Sequence, residues 1–295
     1  MKLKIAVVIA TRGRGEFLSH LLQHLKLQSR KPDVVCISGV DKGDVKAARF
    51  SVGLPIKIVF GQPGITVQRN TGVYAVTNEA DAIVFFDDDF LPSKHWLQRL
   101  ERILLEYPLI LGIDGQTLAD GSKGPGIKVE DAERLLSEYD IKAENLDSEP
   151  VPIEELYGCN MAFRANVFST LQFDERLPLY GWLEDRDFSL RVRTLGPIVR
   201  SNILRGVHLG LKSGRTSGIK FGVSEVMNPI YLYFKGTMSA PDTARVLLKP
   251  LLKNMVKALY PEPYIDRRGR FWGNLLGIAY VLSGRVDPSI ILKLK

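Results

Sequence analysis

The sequence predicts an α/β fold built on a mainly parallel sheet flanked by helices. Three observations predict it. From residue 4 to residue 116, apolar segments of strand length alternate with segments of helical periodicity. The strand segments are continuous apolar runs, as expected for strands covered on both faces. An acidic triplet, Asp87-Asp88-Asp89, ends one of these runs. In open α/β sheets the carboxyl ends of strands are where ligands bind.

The first strand is KIAVVIA (4–10). A turn, TRGRG, separates it from FLSHLLQHLKLQ (17–28), where Phe17, Leu18, Leu21, Leu22 and Leu25 recur at helical spacing. DVVCIS (33–38) and IKIVFG (56–61) read as the second and third strands. ITVQRNTGVYAVTNEA (65–80) reads as a helix with Val67, Val73 and Val76 inward, and DAIVFF (81–86) as the fourth strand. Residues 93–107 form the next helix, with Ser93 as its N-cap and Pro108 beyond its end. LILGIDGQ (109–116) is a strand, and residues 117–150 are expected to run over the surface with an acidic helical stretch, EDAERLLSEY. Order returns at LYGCNMAFRANVF (156–168), and GWLEDRDFSLRVRTLG (181–196) ends in a helix. IVRSNILRGVHLG (198–210) is expected to be a strand pair leading into the loop LKSGRTSG. Beyond residue 241 the chain is helical, with Pro250 predicted to split the first of these helices.

Composition is that of a soluble globular protein, with 45% hydrophobic and 25% charged residues. Two cysteines argue against a disulfide scaffold and for a reducing cytoplasm. MKLKIAVVIA is too short and lacks the cleavage site of a signal peptide, and no apolar run reaches the roughly 18–20 residues of a membrane span. Residues 241–295 hold ten Lys/Arg against four Asp/Glu, so most of the net charge of +7 lies in the tail. No zinc-finger spacing or RNA-binding signature accompanies it, and nucleic acid is not expected as a partner. The tail has two readings. Its helices pack on the rest of the protein and show their cations to water, or they lie on an acidic membrane surface.

Three polar clusters carry the candidate chemistry. The Asp87-Asp88-Asp89 triplet is either a polar turn or a site for a hard cation, which takes oxygen ligands and cancels the repulsion. Glu184, Asp185 and Asp187 in WLEDRDF are placed either to favour a helix N-terminus or to supply a general base. His208 in RGVHLG is either structural or a metal ligand.

Taken in order over residues 4–235, six segments resemble the inverting glycosyltransferases of family 2, which have the GT-A fold, a Rossmann-like arrangement. VVIATRGRGEFLSHLLQHLKLQ is similar to the family's opening strand, T-x-N-R turn and first helix, with Gly13 in place of the usual Asn. GITVQRNTGVYAV resembles its A-x-R-N-x-G helix, and AIVFFDDDFLP its strand, DxD motif and following Pro. YGCNMAFRANVF, FDERLPLYGWLEDRDFSLRV and VHLGLKSGRTSG are similar to its later segments, G-x-N-x-A-F-R, F-D-E…E-D-x-D-L-x-x-R and H…S-G-x-R.

The resemblance implies a GT-A catalytic domain over 1–240 and a basic helical extension over 241–295. It implies a nucleoside diphosphate sugar as donor, a glycan or lipid-linked acceptor, and Mn²⁺ or Mg²⁺ as cofactor. Asp89 is then a metal ligand, Asp87 a contact to ribose or metal, and His208 a third ligand. Thr11, Arg14, Asp41, Arg69, Asp88, Asn160, Lys212 and Arg215 are the other donor-binding candidates. Asp88 is expected to point away from the metal as a hydrogen-bonded support, because side chains alternate in an extended segment. Asp185 is the implied base, Glu184 orients the acceptor, and Asp187 caps the helix; Arg164 lines the sugar pocket or forms a surface ion pair. Where the family carries an Asp pair after its second strand, this chain has Ser38 and, three residues on, Asp41. Two other readings are a nucleotidyltransferase that makes sugar nucleotides, invited by TRGRG, and a non-catalytic sugar-binding or scaffold member of the same fold. The expected location is cytoplasmic, peripheral on the inner face of the membrane if the tail binds lipid.

Overall fold

The computed structural model describes residues 2–50, 53–142, 149–212 and 216–294. The chain divides into two compact units. The first comprises Met1–Pro63, Val67–Gln172 and Arg191–Gly214; the second Gly64–Thr66, Phe173–Leu190 and Arg215–Lys295.

The first unit is a single twisted sheet with helices. It runs β1 (Ile5–Ala10), α1 (Gly15–Lys26), β2 (Val34–Gly39), β3 (Ile56–Phe60), α2 (Ile65–Val76), β4 (Ala82–Phe86), β5 (Phe90–Pro92), α3 (Trp96–Glu106), β6 (Gly112–Asp120), α4 (Val129–Lys142), β7 (Val151–Pro152) and β8 (Asn160–Arg164). After α5 (Glu184–Arg193), which begins in the second unit, β9 (Ile198–His208) completes the sheet. The strand order is β3-β2-β1-β4-β8-β6-β9-β5, with β7 on β9. The β3-β2-β1-β4 half is parallel throughout, and β6 pairs with β9 in parallel. β8 runs antiparallel between β4 and β6.

The apolar runs are covered on both faces. On one face Ile5, Val7 and Ile9 share a core with Leu18, Leu21, Leu22 and Leu25 of α1 and with Trp96 and Leu100 of α3. On the other face Val8 meets α2 at Gly72, where a Cβ would fall 2.5 Å from Val8 Cγ1. Gly72 therefore sets how closely α2 approaches the central strand.

Four local expectations are corrected. Ser93 does not cap α3: the cap position is His95, and Gln28 takes over, its Oε1 accepting from Leu97 N at 3.1 Å while its Nε2 donates to Ser93 O. Residues 198–208 form one continuous strand, not a pair, because β6, β5 and β7 all hydrogen-bond to it. Residues 117–120 continue β6, and Ala132 and Leu136 of α4 share a core with Leu91, Val207 and Leu209, so this stretch is not merely a surface excursion. Arg164 lines a cavity with Leu3, Asn78 and Asp81, and none of the acidic triplet lines that cavity. It donates to Ile110 O, Leu104 O and Tyr107 O, binding β8 to the carbonyl end of α3.

The second unit is helical: α6 (Gly218–Phe234), α7 (Ala240–Lys257) and α8 (Arg267–Leu282) follow the first turns of α5. α7 runs unbroken through Pro250. The lost N–H and the ring clash are outweighed by tertiary bonds one turn on: Asn254 donates to Glu225 of α6 and Asn274 of α8. Arg267 donates to Asn254 Oδ1, and Arg270 pairs with Glu225. No described helix is long and apolar enough to cross a membrane.

Gly72→Ala is expected to lower stability by about 1–3 kcal/mol, the usual cost of overpacking, although alanine is the better helix former. Val8→Ala in the same chain should recover part of the loss. Urea unfolding of the four-member cycle checks this; additive single effects would refute the contact.

Candidate active site

The acidic triplet follows β4, and its three carboxylates go to three different places. Asp87 is half-buried and accepts from Arg69 Nη2 at 3.2 Å. Asp88 accepts from Thr11 Oγ1 at 2.8 Å and Arg14 Nη1 at 3.1 Å. Asp89 lies 3.4 Å from His208 Nε2 and accepts from Leu211 N at 2.8 Å; Arg14 is 3.7 Å away. Asp88 is hydrogen-bonded to the β1–α1 turn as expected, but the cause is different: residues 88–89 form a turn closed by Phe90 N on Asp87 O, not an extended segment with alternating side chains.

Sheet register explains why His208 meets Asp89. The end of β9 lies between β5 and β6, with Phe90 paired to His208 on one side and Asp120 on the other. Two irregularities in the β6–β9 register bring Asp120 to that level. Asp120 Oδ1 is 2.9 Å from His208 Nδ1, and Tyr157 Oη donates to Asp120 Oδ2 at 3.1 Å. His208 is therefore held at both ring nitrogens by carboxylates. Asp87, Asp89 and His208 each offer a ligand atom within 4.8 Å of the others.

Charge compensation follows the same geometry. Burial opposes a charge on His208, but the hydrogen bonds to Asp120 and Asp89 and the nearby carboxylates outweigh it and raise the imidazole to about 10. Burial likewise works against the Asp89 carboxylate; the His208 bond and charge, then Arg14, overcome it and bring the group down to about 2. For Asp88 burial prevails over Arg14 and lifts the carboxyl to about 7.

The other candidates are placed as follows. Asn160 is fully buried opposite Phe86; its Nδ2 donates to Gly115 O, and its Oδ1 has no partner among the described residues. Arg69 also donates to Gly158 O and lies over the Phe85 ring. Asp41 is exposed, its Oδ1 accepting from Gly43 N and Asp44 N. Lys212 Nζ donates to Gly121 O and Ser122 O at 2.9 and 3.1 Å. Arg215 lies outside the described residues.

In the second unit, Glu184 and Asp185 open α5. Gly181, Leu179 and Leu183 hold positive φ in the preceding turn, a left-handed backbone that is strained for leucine. Asn228 Nδ2 braces that turn at Trp182 O. Asp187 lies in the first turn of α5. It is fully buried and takes Lys235 Nζ at 2.8 and 2.9 Å, while Lys235 also reaches Asp174. A buried carboxylate needs such a cation.

Sequence reasoning missed Asp120, Tyr157 and Asp44. Asp44 is buried and accepts from Gly13 N at 2.6 Å and from Val40 N at 2.9 Å, tying the TRGRG turn to the end of β2. A buried aspartate three residues beyond Asp41 was the available signal.

Comparison with known proteins places the family and the fold. The family model described as glycosyl transferase family 2 matches residues 6–172. A search of curated proteins finds no match. Among solved structures, S. aureus TarS residues 1–349 in complex with UDP is 13% identical with a TM-score of 0.55, covering 97% of this chain and 89% of that one. The mannosyltransferase PcManGT from Pyrobaculum calidifontis, in complex with GDP-Man and Mn²⁺, is 12% identical with a TM-score of 0.55, covering 99% and 86%. Against a longer TarS structure (14%, TM-score 0.54) the chain is covered over 88% but spans only 44% of that protein. These identities establish likeness of fold. The fold and site define a nucleotide-sugar-dependent transferase with a GT-A fold. The chain belongs to glycosyl transferase family 2.

In metal-free protein the folded His208 keeps its proton to about pH 10, whereas an unfolded imidazole loses it near 6.5. The stabilisation from this ionised pair is therefore full below about 6.5 and declines as pH rises toward 10. Urea titrations of metal-free wild type and His208→Gln between pH 6 and 9.5 check this. The advantage of wild type should shrink with pH; a constant difference would refute the charged pair.

Proposed function

We propose that the protein transfers a sugar from a nucleoside diphosphate sugar to an acceptor hydroxyl with inversion at the anomeric carbon. The acceptor class that fits best is a glycan or a lipid-linked sugar. Asp87, Asp89 and His208 would hold a divalent cation, Mn²⁺ or Mg²⁺. The single observation that carries this is the convergence of those three side chains at the end of β4 in a family 2 chain.

The donor set fits such an ion. It combines two carboxylates with one imidazole, and buried Asp89 Oδ1 faces the His208 ring at 3.4 Å. When bound, the ion neutralises the charge that grows on the departing diphosphate. Arg14 lies beside Asp88 and Asp89, and Lys212 is one residue from the Leu211 N–H that Asp89 accepts. Both are candidates for diphosphate contact, with Arg215. Thr11 and Asp88 keep the floor of the site rigid through their hydrogen bond. Arg69 orients Asp87, Asn160 supports the sugar side, and Asp41 is the candidate for base contact. UDP and GDP, found in the two complexes above, are the first nucleotides to test.

Asp185 is assigned as general base: it takes the proton of the acceptor hydroxyl as that oxygen attacks C1 and the C1–diphosphate bond breaks. Glu184 beside it holds the acceptor. The Lys235–Asp187 pair is a positioning device, fixing the first turn of α5 and so the direction of Asp185.

Calorimetric titration with UDP- and GDP-sugars, with and without Mn²⁺, tests the donor site. Asp89→Ala should abolish metal-dependent binding while keeping the fold; unchanged metal dependence would sink the assignment.

Asp185→Asn should keep donor binding and lose transfer by about 10²–10⁴-fold, the usual worth of a general base. NMR of the product's C1 proton should show the anomer inverted; a retained anomer would exclude this mechanism.

A further inference from the structure

Two helices of the second unit, α7 and α8, carry their polarity the wrong way round for a soluble bundle, while α6 buries Val223, Met227 and Leu232. The fully buried residues of α7 are Thr243 and Asn254, and those of α8 are Arg267, Gly273, Asn274 and Gly277. The large apolar side chains stand outside: Leu248, Leu252, Met255, Val256 and Leu259 on or just past α7, and Trp272, Leu275 and Leu282 on α8. Apolar residues that do pack inward, such as Val246, Leu276 and Tyr280, are only partly buried.

The exposed set is not scattered. At about 100° per residue, the four positions within α7, Leu248, Leu252, Met255 and Val256, fall within an arc of about 100°, and Leu259 follows just past its end. Asn254, whose amide is locked to Glu225 and Asn274, lies on the opposite side of the helix. Exposed Lys249, Lys253 and Lys257 follow one another along a single flank of the apolar arc. On α8, Trp272, Leu275, Ala279 and Leu282 form a second exposed stripe, headed by exposed Arg268. Arg268 Nε donates to Ala258 O, which joins the start of this stripe to the end of the first.

We propose that the outward faces of α7 and α8 form a docking surface for an anionic lipid bilayer, lying in the headgroup region without crossing it. Single exposed leucines need no explanation, but continuous stripes opposite a polar buried face do. Flanking cations with long apolar stems and an interfacial tryptophan match a surface that is apolar below and negative above. The charge selects the occupant: the tail carries ten basic residues against four acidic, which suits acidic headgroups and disfavours a second copy of the same surface. The helices are too short and too polar to span.

The test is co-sedimentation of the full chain with phosphatidylglycerol/phosphatidylcholine vesicles and with phosphatidylcholine alone. Pelleting is expected only with the anionic vesicles, with partial release by 0.5 M salt. Each basic residue near such a surface is worth about fivefold in partition. Leu252→Glu with Leu259→Glu should abolish pelleting while leaving the thermal melt and nucleotide-sugar binding unchanged, because both side chains are exposed. Bound protein should show a blue shift in tryptophan emission that Trp272→Phe largely removes, since Trp96 is buried in the sheet core and Trp182 is half-buried. No pelleting at low salt, pelleting that survives the double substitution, or a dimer in solution dispersed by it would each overturn the proposal.

Discussion

The structure of the first unit depends on keeping three adjacent carboxylates stable at the end of an apolar strand. Asp88 and Asp89 are almost wholly buried, and an isolated buried carboxylate is prohibitively costly. Cations must therefore come from elsewhere, and each arrives on a different element. Arg14 comes from the β1–α1 turn, Arg69 from α2, and His208 from the end of β9. The rest of the local architecture serves these three approaches. Asp44 pins the glycine turn that presents Arg14. Gly72 brings α2 close enough for Arg69 to reach Asp87. The irregular β6–β9 register sets Asp120 behind His208. Without a metal, the His208 proton supplies part of the missing positive charge. A divalent ion held by the same carboxylates and the imidazole would displace that proton to solvent.

Much of this fold was legible because its signals are local. The runs KIAVVIA and DAIVFF stand as β1 and β4, and the spacing of Leu18, Leu21, Leu22 and Leu25 matches the buried face of α1. The six ordered segments led to the family. The separation of Asp88 from Asp89 comes from a tight turn rather than from strand alternation. What escaped depends on long-range partners. Gln28 caps a helix that begins 68 residues later, and no local pattern could have distinguished it from Ser93. Asp120 ends a glycine-containing strand and precedes a Gly/Ser/Lys turn, so its neighbours read as loop; only the bulged pairing with β9 reveals its role. Asp187 shows the opposite case. Its position at a helix start has a ready local explanation, while Lys235, its actual partner, lies 48 residues away.

The second unit shows why the tail resisted assignment from sequence. A helix that exposes leucines and buries asparagines has the same periodicity as one packed the usual way round; only the face differs. Pro250 added to the ambiguity, since local rules break the helix there. The structure resolves it through one buried polar cluster in which Glu225, Asn254, Asn274, Arg267 and Arg270 satisfy one another. Such a cluster is an expensive way to join helices, because each group must be stripped of water and then fully hydrogen-bonded. Leucines turned inward would be the cheaper solution in water. A polar join becomes the better one when the apolar residues are needed on the outside, and its directional bonds also fix how α6, α7 and α8 are rotated about their axes. That rotation decides which side chains face outward, so the buried amides and the exposed leucines are two consequences of one arrangement.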